Sequence, residues 1–121
     1  MSKILIVDDE PNIVKLLTSR LIAEGYVVVS AVDGETALEM VRQEEPDLII
    51  LDITLPKMNG YEVCVAIRTD EKYQDMPIVM LTARKETREI AKGMELGAVA
   101  YVQKPFKSET LLAIIQGFLN E

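Results

Sequence analysis

Five short stretches rich in Val, Ile and Leu recur along the chain: Lys3 to Val7, Val27 to Ala31, Leu48 to Leu51, Ile78 to Leu81 and Val99 to Val102. They carry little polar alternation, which suits strands covered on both faces, because a solvated face would show a polar residue at every second position. Between them the apolar residues return with a helical period: Ile13, Leu16, Leu17 and Leu21, then Ala37 with Val41, Cys64 with Ile67, and Ile90 with Met94. The fifth pattern is the clearest, with Leu111, Leu112, Ile115, Phe118 and Leu119 on one side and Ser108 placed to be the N-cap. Pro11 suits the first turn of the first helix, and Gly25 and Gly97 suit helix C-termini. Asp33-Gly34 and Asn59-Gly60 mark turns before the second and third helices.

The pattern is therefore β-α repeated five times. Strict alternation requires right-handed crossovers, and these give an α/β fold with a parallel sheet and helices on both faces. At 121 residues, with 49% hydrophobic and 27% charged, the chain fits one doubly wound domain over residues 1–121 and does not resemble a disordered tail. Aliphatic runs such as Ile4 to Val7 and Ile78 to Leu81 are far too short to span a membrane. The start Met1-Ser2-Lys3 lacks the features of a signal peptide, so the expected location is cytoplasmic. The chain has no histidine, which excludes Ser-His-Asp and Cys-His catalysis and the usual zinc sites. Cys64 is expected in the core, and a net charge of −7 argues against direct nucleic-acid binding by this chain.

In open parallel sheets, ligands bind beyond the carboxyl ends of the strands. Those ends carry Asp8-Asp9-Glu10 after strand 1, Asp52 after strand 3, Thr82 after strand 4 and Lys104 after strand 5. A lone aspartate there ordinarily starts a turn or caps a helix, but several on one edge repel one another. If Asp8, Asp9 and Asp52 lie within about 5 Å, each pair costs roughly 3 kcal/mol at an effective dielectric of about 20. Such a group calls for protons or a hard cation, and Mg²⁺ characteristically uses one or two carboxylates together with phosphate oxygens. With Lys104 opposite, a phosphoryl group in transit would be neutralised from two sides, Asp52 could form an aspartyl phosphate, and Thr82 could donate a neutral hydrogen bond.

The motifs Asp8-Asp9, Leu51-Asp52-Ile53-Thr54-Leu55-Pro56-Lys57-Met58-Asn59-Gly60, Leu81-Thr82-Ala83 and Lys104-Pro105-Phe106, in this order, resemble the CheY-like receiver domain of response regulators in two-component signal transduction. The resemblance covers essentially the whole chain. It implies a flavodoxin-like (βα)5 sandwich with a parallel five-stranded sheet of order 2-1-3-4-5. It also implies that Asp52 is the phosphoacceptor and that Asp9 and Asp52 ligate Mg²⁺ directly, with the Thr54 carbonyl a further ligand and Asp8 acting mostly through water. Thr82, Ala83 and Lys104 would bind the phosphoryl group. Thr82 and Tyr101 would form the switch, and the Lys104-Pro105 bond would be cis, a candidate for slow isomerisation.

The implied donor is a phosphohistidine on a sensor histidine kinase or a histidine phosphotransfer protein. The implied target is a downstream effector or output domain, reached through the surface of the fourth helix, fifth strand and fifth helix. A domain of this kind promotes only its own phosphorylation and dephosphorylation. Receivers of the winged-helix DNA-binding class carry an acidic pair before the strand 5 aromatic and arginines along the last helix. Here those places read Val99-Ala100 and Leu112-Ala113-Ile114-Ile115-Gln116, so the salt-bridged dimer of that class is not expected. Leu112, Ile114 and Ile115 instead widen the apolar side of that helix to roughly 160°, beyond the approximately 100° needed for docking, which leaves part of it for a partner or a phosphorylation-dependent homodimer. Three rivals stand beside this reading. A Mg²⁺ phosphatase would need Asp-x-Asp after strand 1 and a cap, and a flavin module would need hydroxyls and amides where Asp8-Asp9-Glu10 stands. The third is a receiver-like scaffold that works without phosphorylation.

Overall fold

The structure, a computed structural model, describes residues 2–82, 97–98 and 100–119. Among these residues run five strands: β1 (Lys3–Val7), β2 (Val27–Ala31), β3 (Leu48–Asp52), β4 (Ile78–Thr82) and β5 (Ala100–Gln103). Four helices accompany them: α1 (Pro11–Ala23), α2 (Gly34–Glu44), α3 (Gly60–Arg68) and α4 (Ser108–Leu119), the last being the fifth helix expected from the sequence. The fourth expected helix, with Ile90 and Met94, lies outside the described residues, as do Ala83 and Val99.

All four strand pairings are parallel, and the order is β2-β1-β3-β4-β5. Successive side chains of a strand point to opposite faces, so the central strands feed two cores. Leu5, Val7, Ile49, Leu51, Ile78 and Met80 pack with Ala37 and Val41 of α2 and Val63, Cys64 and Ile67 of α3. Ile4, Ile6, Leu48, Ile50, Val79 and Leu81 pack with Leu17 and Leu21 of α1 and Leu111, Leu112 and Ile115 of α4. β3 and β4 are buried at every position, as a strand covered on both faces must be. The edge strands depart from that expectation: β2 exposes Val27 and Ser30, and β5 exposes Gln103, because each has only one neighbouring strand.

The punctuation works through identifiable contacts. Pro11 opens α1, where its missing N–H sacrifices no helical bond. Asp33 Oδ1 accepts from the Thr36 N–H at 2.8 Å at the start of α2. Asn59 and Glu62 form a reciprocal capping box on α3. Gly25 takes φ +93° after α1, where a β-carbon would be strained. Two expectations for the last helix need correction. It begins at Ser108 itself, so Ser108 is a helical residue and not the N-cap; Lys107 supplies the carbonyl accepting from Thr110 and Leu111. Phe118 is 41% exposed, because Ile115 and Leu119, on either side of it, are the residues near this end of α4 that turn to the core.

Candidate functional site

Strand register brings the polar side chains together. Val7 lies opposite Leu51, and Asp52 opposite Leu81, so Asp8, Asp52 and Thr82 emerge side by side at the carboxyl ends of β1, β3 and β4. β3 and β4 each run one residue beyond their expected ends, so Asp52 and Thr82 are themselves the last strand residues. On the far side the Lys104 N–H donates to the Thr82 carbonyl at 2.6 Å, which fixes the chain just before the cis Lys104–Pro105 bond.

Lys104 is the centre of the arrangement. Its Nζ donates to Asp8 Oδ2 at 2.9 Å and to Glu10 Oε1 at 3.0 Å, and approaches Asp52 Oδ2 at 3.5 Å, the limit of hydrogen-bond reach. Asp8 is fully buried, Asp52 is 5% exposed and Thr82 1% exposed. Backbone donors complete the carboxylates: the Glu10 N–H reaches Asp8 Oδ1 at 2.9 Å, and the Thr54 N–H reaches Asp52 Oδ1 at 3.3 Å.

Electrostatics follow from this packing. Burial, and then the neighbouring Asp8 charge, push the Asp52 carboxyl above the usual carboxylate range, while Lys104 and the Thr54 N–H pull the other way without prevailing. For Lys104, burial works to lower its affinity for a proton, but the hydrogen bonds to Asp8 and Glu10 and the charges of Asp52 and Asp8 outweigh it and hold the ammonium well above its ordinary value.

The loop after β3 is held over the site by close backbone packing. The Gly60 N–H donates to the Ile53 carbonyl at 2.9 Å, and a β-carbon on Gly60 would lie 2.5 Å from the Asp52 carbonyl oxygen. From the side, Lys57, at φ +66°, pairs with Asp33 at 3.7 Å. Asp33 is held below the ordinary carboxyl range, first by the Thr36 backbone N–H, then by its side chain, with Lys57 adding to the effect.

Of the residues singled out from sequence, Asp8, Asp52 and Lys104 converge in direct contact. Thr82 is buried beside them, Thr54 is exposed with its N–H on Asp52, and Asp9 is exposed. Among the described residues, the carboxylates that gather with oxygens within 4.8 Å of one another are Asp8, Glu10 and Asp52. These are hard oxygen donors, two of them buried, and they fit a magnesium-sized cation. Glu10 carried no role in the sequence reading. A signal was nevertheless present: Glu10 occupies the N-cap of α1, a position that favours Ser, Thr, Asp or Asn, and its side chain caps nothing there. The Tyr101 hydroxyl is buried and makes no hydrogen bond among the described residues, while the rest of the side chain packs against the α2/α3 core.

A five-stranded parallel sheet of this order, with an acid pocket and a lysine at its carboxyl edge, defines the class of CheY-like receivers. The model of the response regulator receiver domain matches residues 4–116, and the chain belongs to that family. It is 51% identical over 118 residues to a probable transcriptional regulator ycf27 of Guillardia theta, a match that spans 98% of this chain and 45% of that protein. It is 44% identical over 118 residues to the DNA-binding response regulator MtrA of Mycolicibacterium smegmatis, covering 98% of this chain and 50% of MtrA. The chain thus spans about half the length of these curated relatives. Among solved structures, chemotaxis response regulator CheY4 of Vibrio cholerae superposes with a TM-score of 0.92 at 36% identity, covering 98% of both chains. The BeF3-activated receiver domain of Klebsiella pneumoniae RstA gives 0.91 at 32% identity, covering 98% of this chain and 99% of that one. The expected fold and family are both met. No described helix is long and apolar enough to cross a membrane.

Proposed function

We propose that residues 1–121 form a receiver domain whose Asp52 accepts a phosphoryl group from a phosphohistidine on a sensor histidine kinase or histidine phosphotransfer protein. The observation that carries this reading is the Lys104 ammonium lying between buried Asp8 and buried Asp52 at the carboxyl edge of the sheet. An Asp52 carboxylate oxygen attacks phosphorus. The O–P bond forms as the P–N bond breaks, and the electron pair of that bond returns to the donor imidazole, which leaves neutral because its other nitrogen keeps a proton. Lys104 donates to a phosphoryl oxygen, and the Thr82 hydroxyl and Ala83 N–H complete the cradle. Asp8, Asp9, Asp52 and the Thr54 carbonyl are the groups that would hold Mg²⁺, with Glu10 close enough to join them. When bound, the ion supplies positive charge against the phosphoryl oxygens and relieves repulsion among the carboxylates.

The chain promotes only its own phosphorylation and dephosphorylation. Thr82 follows the phosphoryl group and Tyr101 follows Thr82, altering the surface around β5 and α4 that an effector or output domain reads. This chain works in the cytoplasm and makes no nucleic-acid contact of its own. Of the widened apolar side expected on α4, Leu112 and Ile115 are taken up by the core, so the part left for a partner or a phosphorylation-dependent second copy is the half-buried Ile114 and the exposed Phe118. Incubation with acetyl phosphate and Mg²⁺, followed by intact-mass spectrometry, should show one added phosphoryl group in the wild type and none in Asp52→Ala. Undiminished modification of that variant, or of the wild type with divalent cations chelated, would overturn the reading. Sedimentation unchanged by phosphorylation would remove the dimer.

A further inference from the structure

A lysine ammonium has three N–H bonds, and three carboxylates lie within 3.5 Å of the Lys104 nitrogen. The two short contacts go to Asp8, at 2.9 Å, and Glu10, at 3.0 Å; Asp52, the residue that Lys104 serves in the reading above, receives the long one, at 3.5 Å. Lys104 is therefore drawn toward the β1–α1 turn. The two short contacts differ in how readily they can be given up. Asp8 is fully buried, so withdrawing Lys104 from it strands a charge away from water. The Glu10 side chain is 58% exposed, so breaking its pair only returns a carboxylate to solvent. Glu10 is also free of the task its position would normally impose, since it forms no side-chain cap on α1.

We propose that Glu10 is a positioning residue that competes with the phosphoryl group on Asp52 for the Lys104 ammonium, holding the lysine back in the unmodified protein. This rests on the phosphoacceptor reading and adds to it the group that must be displaced. An arriving phosphoryl group brings oxygens of higher charge than a carboxylate, takes over the hydrogen bond that Glu10 held, and leaves the Asp8 contact intact. The strength of the Glu10 pair subtracts from the free energy with which phosphorylation favours the active state, because only the difference between the two states counts.

The test uses beryllofluoride, a phosphoryl mimic, on the full chain at saturating Mg²⁺, with the wild type compared with Glu10→Gln and Glu10→Ala. Gln keeps the shape and a weaker acceptor, whereas Ala removes both. Apparent beryllofluoride affinity should rise in the order wild type, Gln, Ala, reaching roughly two- to fivefold, as expected for loss of a partly exposed ion pair. The ¹⁵N resonance of Lys104 Nζ should differ between wild type and variants without beryllofluoride and converge with it. A separate Mg²⁺ titration removes any contribution of Glu10 to cation binding. Equal or weaker beryllofluoride affinity in both variants, or a Lys104 resonance indifferent to Glu10, overturns the proposal. Failure of the wild type itself to bind beryllofluoride condemns the phosphoacceptor reading instead, and the Lys104 resonance then still decides whether Glu10 tethers the lysine.

Discussion

Arg68 grips the backbone of Gly97. Its Nε and one terminal nitrogen both donate to the Gly97 carbonyl, at 3.0 and 2.6 Å, while the other terminal nitrogen donates to the Gln74 carbonyl at 2.9 Å. A side chain at the last turn of α3 thus ties the turn before β4 to the turn before β5. Gly97 must be glycine twice over, since its φ is +106° and a β-carbon there would stand 2.6 Å from Arg68 Nε. Arg68→Ala leaves two carbonyls without their donor and should cost about 1–3 kcal/mol in urea unfolding. Arg68→Lys should recover little, because a single ammonium cannot reproduce the planar fork.

Lys104→Ala tests the ion-pair centre. Removing one partner of a buried pair leaves the other charge uncompensated, which costs about 3–5 kcal/mol. Fully buried Asp8 makes this the relevant case, although the exposed Glu10 loses little. The variant should unfold at lower urea than the wild type, and added Mg²⁺ should restore more stability to it than to the wild type, since the cation replaces the missing charge. A loss below about 1 kcal/mol, the range of an exposed pair, would mean that Asp8 finds another partner.

The sequence carried the site further than it carried the surroundings. Asp8, Asp52, Thr82 and Lys104 were legible because parallel strands deliver their C-terminal residues to one edge whatever their register in detail. The turn before α3 was equally legible as Asn59-Gly60 before an apolar period, although the capping box that Asn59 forms with Glu62 was not read. Glu10 was visible as a third acid but not as a lysine partner, since that contact joins residues 94 positions apart. Arg68 gave no signal at all: its acceptors are backbone carbonyls, which have no sequence signature. The exposed faces of β2 and β5 escaped for a related reason, because a strand's apolar run does not say whether it ends up central or at an edge.

Asp52 makes stability depend on pH with a definite sign. Its folded-state pKa is raised, chiefly by burial and then by Asp8, so the folded protein holds that proton more tightly than the unfolded chain. The associated stability is fully present below the ordinary value of 3.8 and is lost as pH rises through the elevated folded value. Asp52→Asn is spared this loss. Thermal melts should therefore show the variant more stable than the wild type at pH 7 without divalent cations, by a few degrees. The advantage should shrink as pH falls toward 3.8 and vanish below it. An advantage that persisted under acid would assign it to packing.

Two glycines should respond to alanine in opposite directions. At Gly60 a β-carbon would stand 2.5 Å from the Asp52 carbonyl oxygen and 2.8 Å from Ile53 Cα, both backbone atoms of the segment that positions the phosphoacceptor. Neither can swing aside as a flexible side chain would, so Gly60→Ala should cost about 1–3 kcal/mol through forced displacement. It should also slow acetyl phosphate modification of Asp52. Gly117 lies inside α4, and among the described residues a β-carbon there would meet nothing within 4 Å and adopt no unusual φ. The only change is a helix interior losing its most flexible residue, so Gly117→Ala should stabilise by about 0.5–1 kcal/mol and leave the modification rate alone. Urea unfolding and intact-mass kinetics on both variants separate the two effects, and a destabilised Gly117→Ala would show that α4 tolerates less at its exposed face than its surroundings indicate.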